Sequence, residues 1–317
     1  MTTNQLRPGW GYVFAMAAAM LWGVSGPSAK YLFNAGVTPF QLVQLRLTIT
    51  VVVMLAWLWL RQPRLLRIAR KDIAYFAVFG IVGMGACQFT YLYAISKIHV
   101  AAAILLQYQA PFFIALHALV IQRERLSRPV WICLAAAAAG CYLVVGAYNV
   151  NLLSMNMAGI VTGLLSGVAF AWYSIHGEYG MRRYNPWTVL FYAMLFAALL
   201  WNIVHPPLGA FFRPYSPAQW GCIAYIGIFG TLLPFGLYLE AINRIRATRA
   251  SITATLEPIT AGLVAFAFLQ ETMEPLQLAG AVVVLAAIVF LQLNQEHDAK
   301  SPAAIRARTG HGDAETR

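Results

Sequence analysis

Between Ser251 and Thr260 the chain reads Ser-Ile-Thr-Ala-Thr-Leu-Glu-Pro-Ile-Thr, which sets a single carboxyl group inside an otherwise apolar run. Thr253, Glu257, Thr260 and Val264 recur at helical spacing and would share one stripe. In a span that starts near residue 250, a rise of about 1.5 Å per residue buries Glu257 ~10 Å deep. An acid at that depth is expensive, and its chemistry is narrow: it can take a cation, a substrate amine or a proton. Pro258 beside it cannot bond the carbonyl one turn back, so the helix is loosened there. The competing reading is a protonated acid that bonds a neighbouring helix as packing glue.

Other residues could join this acid around a cavity. The run Leu106-Gln107-Tyr108-Gln109-Ala110-Pro111 offers Gln107 as a neutral substrate contact, or as a helix–helix bond. Gln88 and Tyr91 lie at i and i+3, and Tyr238 stands on a later span. Thr162, Ser166, Phe170, Tyr173 and Gly177 form another stripe, flanked by Trp172 and His176. Rings with polar tips suit an amphipathic ligand, although such stripes also serve as packing. His117 and His176 could relay protons or sit as core residues. Gly26 and Pro27, and separately Pro111 and Pro258, are hinge candidates. Lys30 reads as snorkelling to an interface or facing the cavity mouth. Arg46 reads as snorkelling, as pairing with a carbonyl, or as capturing a carboxylate or phosphate. Cys87, Cys133, Cys141 and Cys222 have no metal-ligand or redox spacing and read as small packing residues, so no metal and no cofactor is expected.

The elements that must carry these groups follow from composition. Sixty per cent of the 317 residues are hydrophobic and only ten per cent charged, against about a quarter charged in a soluble domain. Ten apolar stretches can cross a core that needs ~20 helical residues: 11–31, 38–60, 73–95, 100–122, 130–148, 158–179, 186–204, 219–241, 250–269 and 275–293. Backbone groups in lipid must bond within their segment, so the fold class is an all-α integral membrane protein. A shift of 147 residues aligns Pro39 with Pro186, Gly80 with Gly227, Gly83 with Gly230, Tyr91 with Tyr238, Pro111 with Pro258 and Glu124 with Glu271. The ten transmembrane helices therefore divide into two five-helix repeats, and an odd number of spans inverts the second.

Charge orients the whole. With the N-terminus in the cytoplasm, eighteen Lys and Arg fall inside and only Lys97 and Arg213 outside. This is the positive-inside pattern, and it puts both termini in the cytoplasm of a bacterial-type inner membrane. The net charge of +11 thus expresses topology, and no nucleic acid is expected as a partner. The expected divisions are a cytoplasmic N-terminus (1–10), a first repeat (11–148), an external linker (149–157), a second repeat (158–293) and a disordered, dispensable cytoplasmic tail (294–317). Partners are the lipid bilayer, a small-molecule substrate and protons.

Leu256-Glu257-Pro258, Gln270-Glu271, Gln277 and Gly280-Ala281 resemble the signature of the EamA-type branch of the drug/metabolite transporter superfamily. Leu21-Trp22-Gly23, Lys30-Tyr31-Leu32 and Arg46 resemble that family's first spans, and the resemblance covers residues 11–293. It implies a central cavity lined by spans 1, 3, 4, 6, 8 and 9, and movement of small metabolites, often outward, by alternating access. The family commonly has Gly where this chain has Gln270. The expectation is a secondary carrier exporting a small amphipathic metabolite such as an amino acid. No phosphate-cradling loop supports ATP hydrolysis, and no catalytic set supports an enzyme. An exchanger of phosphorylated or nucleotide-linked sugars would need several cavity cations, whereas only Lys30 and Arg46 qualify. A receptor or scaffold would bind ligand without flux.

Overall fold

The structure, a computed structural model, describes residues 8–149, 156–204, 206, 208–269, 274–294 and 300–309. These are almost entirely helical. The first two spans are α1 (Pro8–Asn34) and α2 (Pro39–Arg61). The third is built from α3 (Ile73–Val78), a π-helical segment (Phe79–Gly85) and α4 (Ala86–Lys97). The fourth is broken at Tyr108-Gln109 into α5 (Val100–Gln107) and α6 (Ala110–Val120). The fifth is α7 (Arg128–Val144), which stops four residues short of the expected boundary.

The second half follows the same plan. It comprises α8 (Met157–Gly180) and α9 (Pro186–Val204), then α10 (Pro217–Gly227), a π segment (Ile228–Leu232) and α11 (Leu233–Thr253). A 3-10 turn (Ala254–Leu256) leads into α12 (Glu257–Leu269), followed by α13 (Pro275–Leu293). Eight helical stretches are long and apolar enough to cross a membrane. One of them, Pro217–Val264, turns at Arg246 and so supplies two spans, and Arg128–Val144 is a shorter apolar helix. Ten spans result among the described residues, in an all-α membrane protein.

Local chemistry sets several boundaries. Thr38 caps α2: its Oγ1 accepts the Gln41 N–H at 3.3 Å, while Gln41 Oε1 accepts the Thr38 N–H at 2.9 Å. Ser216 and Gln219 repeat this box at α10, and in each case proline takes the first helical position. Gly140 and Gly280 let α7 and α13 touch. A Cβ on Gly140 would lie 2.6 Å from Val284, and one on Gly280 2.6 Å from Leu143, so only a bare backbone fits this crossing.

Both halves carry the same irregularities. The π segments contain Gly83 and Gly230, which the 147-residue shift superposes. The same shift sets the start of α6, Ala110, on the start of α12, Glu257. Pro111 and Pro258 are thus the second residues of the half-helices that follow each break. Gly26 and Pro27 behave otherwise, because α1 passes through both without interruption.

The tail departs from expectation. Residues 302–309 form a helix, α14 (Pro302–Thr309), in place of disordered chain, and Ser301, Pro302 and Ala304 are buried. Arg306 Nη2 donates to Asn243 Oδ1 at 2.9 Å and Nη1 to the Tyr184 carbonyl at 3.1 Å, with a further bond to Met181 O. The polar composition of the tail hid this arginine, whose partners include backbone carbonyls and an asparagine side chain far off in the sequence. Arg306→Ala leaves those carbonyls without their donor, and we expect the purified variant to melt several degrees below wild type. An unchanged melting temperature would make the docking incidental. Part of the 149–157 linker, and Gln270 and Glu271, lie outside the described residues.

Candidate functional site

At the centre of the bundle Trp22 and Ser25 of α1, Arg46 of α2, Cys87, Gln88 and Tyr91 of α4, Gln107 and Tyr108 at the break of the fourth span, Phe170 of α8, Phe235 of α11 and Glu257 enclose a cavity. These are the spans the family resemblance implies, with span 2 added through Arg46. The free space is about 30 Å³, room for about two waters.

Glu257 is 4 % exposed and anchored from two spans. Its Oε1 accepts from the Tyr91 hydroxyl at 3.3 Å and its Oε2 from the Tyr108 hydroxyl at 2.8 Å. The Tyr108 hydroxyl also lies 2.6 Å from the Ala254 carbonyl oxygen. Ala254 stands four residues before Pro258, so its carbonyl is the one that proline cannot bond. Gly23 of α1 seats this region: a Cβ there would lie 2.9 Å from the Glu257 carbonyl oxygen and 2.7 Å from Thr260 Cβ.

Arg46 is 3 % exposed. Its Nε donates to Thr231 Oγ1 at 2.8 Å and its Nη2 to the Gly230 carbonyl at 3.0 Å. One turn later on α2, the Thr50 hydroxyl donates to the Gly227 carbonyl at 2.8 Å. The second π segment therefore supplies the anchor that holds the guanidinium at the cavity, and the carbonyl-pairing reading of Arg46 combines with the cavity reading. Nη1 is left out of both bonds. Trp22 Nε1 and Gln88 Nε2 are buried without a hydrogen-bond partner among the described residues. Apart from Glu257 and the tyrosines, the wall thus offers unspent N–H donors.

Of the sequence candidates, Gln88, Tyr91, Gln107 and Glu257 are brought together here. Gln107 Nε2 donates to Cys87 Sγ at 3.8 Å, so Cys87 is a wall residue and not merely packing. Five candidates stand elsewhere. Trp172, Tyr173 and His176 belong to a run of rings that leads away from Phe170 through Phe79, and Trp172 stacks on His176 at 4.0 Å. Tyr238 lies behind the wall against Phe170 and Trp22, with its hydroxyl 2.9 Å from Ser174 Oγ. Thr253 Oγ1 donates back to the Arg249 carbonyl at 2.8 Å and Thr260 Oγ1 to Leu256 O at 3.2 Å. The expected polar stripe is thereby spent inside its own helix, leaving Glu257 as its one group on the cavity wall. Lys30 donates to the Ile95 and Ile98 carbonyls at 2.7 and 3.2 Å, so it caps α4 in place of snorkelling or facing the cavity. Tyr108, Trp22, Ser25 and Phe235 were not chosen from the sequence. Of these, Tyr108 was signalled by its place between two glutamines just before Pro111.

His176 and His117 line a second, larger space of about 540 Å³ with Tyr75, Gln122, Glu124, Glu178 and Arg182. Beside it Arg246 Nε donates to Glu178 Oε1 at 2.9 Å, Nη1 to Glu124 Oε2 at 2.7 Å and Nη2 to Gln122 Oε1 at 3.1 Å. Lys300 Nζ adds a bond to Glu124 Oε1 at 3.0 Å. Burial pushes the Glu124 carboxyl up, but Arg246 and Lys300 hold it below the usual carboxylate range. A depressed pKa contributes stability above the ordinary carboxylate value, and that contribution is lost as pH falls through the folded value.

The model of the EamA-like transporter family matches the chain twice, over residues 9–146 and 157–293. The chain is similar to YicL of Salmonella typhimurium, an uncharacterized inner membrane transporter, at 26 % identity over 92 % of this chain and 98 % of the relative. It is similar to the threonine/homoserine exporter RhtA of Escherichia coli (strain K12) at 24 % identity, covering 92 % and 95 %. The pseudopaline exporter CntI of Pseudomonas aeruginosa is 27 % identical over 75 % of this chain and 81 % of that protein. A solved crystal structure shares the fold with a TM-score of 0.73 at 20 % identity, covering 89 % of this chain and 96 % of the other. With ten spans, a central cavity that holds an arginine and a glutamate among aromatic rings, and a family match over both halves, this chain belongs to the EamA-like transporter family and is a multi-pass membrane transporter, not an enzyme.

Proposed function

We propose that this protein exports a small zwitterionic metabolite, an amino acid or a relative of one, and that Glu257 couples export to protons. The observation that carries the reading is one cavity with one guanidinium, Arg46, and one carboxyl, Glu257, between the rings of Trp22, Phe170 and Phe235. An α-amino acid presents the matching pair of charges and an apolar side chain. The donors unspent on Arg46, Gln88 and Trp22 favour a carboxylate. RhtA, a threonine/homoserine exporter, and CntI, a pseudopaline exporter, are in keeping with export of a small molecule. With Lys30 engaged by carbonyls, Arg46 is the lysine or arginine on the cavity wall, which speaks against phosphorylated sugars.

In this reading the two halves are inverted five-span copies with both termini cytoplasmic in an inner membrane. The larger space beside Glu124 then faces the cytoplasm and receives the metabolite. The central cavity holds about two waters, so its walls must part before a substrate occupies it, as alternating access requires.

Proteoliposomes loaded with labelled amino acids test the proposal. Counterflow should distinguish a carrier from a receptor that binds without exchange. An imposed pH gradient should drive flux by wild type and not by Glu257→Gln. A Glu257→Gln protein that stays fully pH-driven would sink the coupling.

A further inference from the structure

The Tyr108 hydroxyl has one hydrogen and two close oxygens, Ala254 O at 2.6 Å and Glu257 Oε2 at 2.8 Å. A carbonyl and an ionised carboxylate both only accept. One O–H shared between two acceptors bends both bonds, so two linear hydrogen bonds at these distances require that Glu257 bring a proton of its own. In that arrangement the carboxyl O–H donates to the tyrosine oxygen, and the tyrosine donates to Ala254 O. When the proton leaves to water, the carboxylate draws the Tyr108 hydrogen, since bonds to charged acceptors are the stronger. The Ala254 carbonyl then keeps the Glu257 backbone N–H that closes the 3-10 turn, while its second acceptor position is open, since Pro258 has no N–H to fill it.

We propose that Tyr108 is a two-position switch through which loss of the Glu257 proton builds an ammonium site. Two acceptors stand side by side after the switch: the Glu257 carboxylate and the Ala254 carbonyl. A primary or secondary ammonium has at least two N–H donors to fill them, and a quaternary ammonium has none. Proton and substrate amine therefore exclude one another, the condition for exchanging them across the membrane. This rests on the reading of Glu257 as the group that takes the proton and the amine. The switch also joins the two helix breaks, since Tyr108 interrupts the fourth span and Ala254 the ninth.

The other groups facing Glu257 do not supply an alternative proton path of the same kind. Tyr91 of α4 donates to Oε1 at 3.3 Å. Cys87 of α4 is engaged by Gln107 at 3.8 Å, and Cys141 of α7 reaches Thr255 O at 3.9 Å. Arg46 of α2 shares the cavity and keeps its charge. α1 contributes Gly23, Trp22 and Ser25, none of which titrates.

Infrared difference spectra of the purified full chain between low and high pH read the switch directly. Wild type should lose a carboxyl C=O band, absent from Glu257→Gln, and one amide carbonyl should shift as one of its two hydrogen bonds is removed. Tyr108→Phe should keep the carboxyl band and lose the amide shift. Should Tyr108→Phe fail to fold, wild type against Glu257→Gln still decides, because the amide shift must vanish with the carboxyl. Methylammonium should lower the pH midpoint of the carboxyl band, with tetramethylammonium at least about tenfold less effective. A carboxyl band that titrates without an amide shift, an amide shift surviving in Tyr108→Phe, no titrating Glu257 band, or equal effects of the two amines would each overturn the proposal. Proteoliposomes lacking pH-driven flux, with these spectral changes intact, would overturn the transport reading and leave the switch standing.

Discussion

Arg246→Met should destabilise the protein by about 3–5 kcal/mol, the range for removing one partner of a buried ion pair. Arg246 serves Glu178, Glu124 and Gln122 at 2.7 to 3.1 Å, and both carboxylates are largely buried. Methionine keeps the apolar stem and leaves two acids facing each other. Among the described residues Glu178 retains the Ala247 N–H at 2.8 Å and a distant Arg182 at 4.0 Å, and Glu124 retains Lys300. A second effect works in the opposite direction. Arg246 has φ 63° and ψ 167°, a region nearly reserved for glycine that costs about 1–3 kcal/mol for other residues. Arg246→Gly loses the same charges but is relieved of that strain, so it should melt above Arg246→Met and below wild type. The charge term is the larger, which is why arginine can hold so unfavourable a backbone. Neutralising the acids in Glu124→Gln/Glu178→Gln/Arg246→Met should restore part of the loss. Thermal melts of the four proteins in one detergent check the order, and equal melting of the Gly and Met variants would remove the strain from the account.

Arg46→Lys should lower amino-acid counterflow about 10- to 100-fold, from about 1.5–3 kcal/mol for a lost bond to a charged group. The charge is unchanged, so a simple electrostatic role would spare the variant. Lysine, however, is a point charge on a flexible stem. It cannot hold Thr231 Oγ1 and Gly230 O as the guanidinium does and still offer a nitrogen to the cavity. Thr231→Val removes one of the two anchors and should cost less. Its hydroxyl also donates to Ile226 O at 2.7 Å, so its melting temperature separates a structural loss from a positional one. Full counterflow by Arg46→Lys would mean that the arginine only braces the π segment.

The spans and the central acid were legible in the sequence because each rests on local rules. Hydropathy marks a helix, and a lone acid among apolar residues marks a site. What failed was direction. Thr253 and Thr260 share a face with Glu257 by spacing, yet their hydroxyls turn back onto their own helix. Trp172, Tyr173 and Phe170 are neighbours on α8, but only Phe170 reaches the cavity. Lys30 and Arg306 found backbone carbonyls of other elements, and a carbonyl leaves no mark in a residue pattern. Tyr108 was marked by its glutamine neighbours but its partner was not, because that partner is a backbone carbonyl on another span, at an acceptor position that Pro258 cannot fill.

The matching π segments also carry a chronology. A π turn holds one residue more than the α turn it replaces, and both halves hold it at the same place, at Gly83 and at Gly230. One insertion in a single ancestral half accounts for both, and a common origin accounts likewise for the paired half-helices that carry Pro111 and Pro258 as their second residues. These bends are therefore older than the joining of the halves. Glu257 opposite Ala110, and Arg246 opposite His99, break that likeness and record the later divergence of the two halves. The bends were inherited as a common frame, and the charges that distinguish one half from the other were fitted to it afterwards.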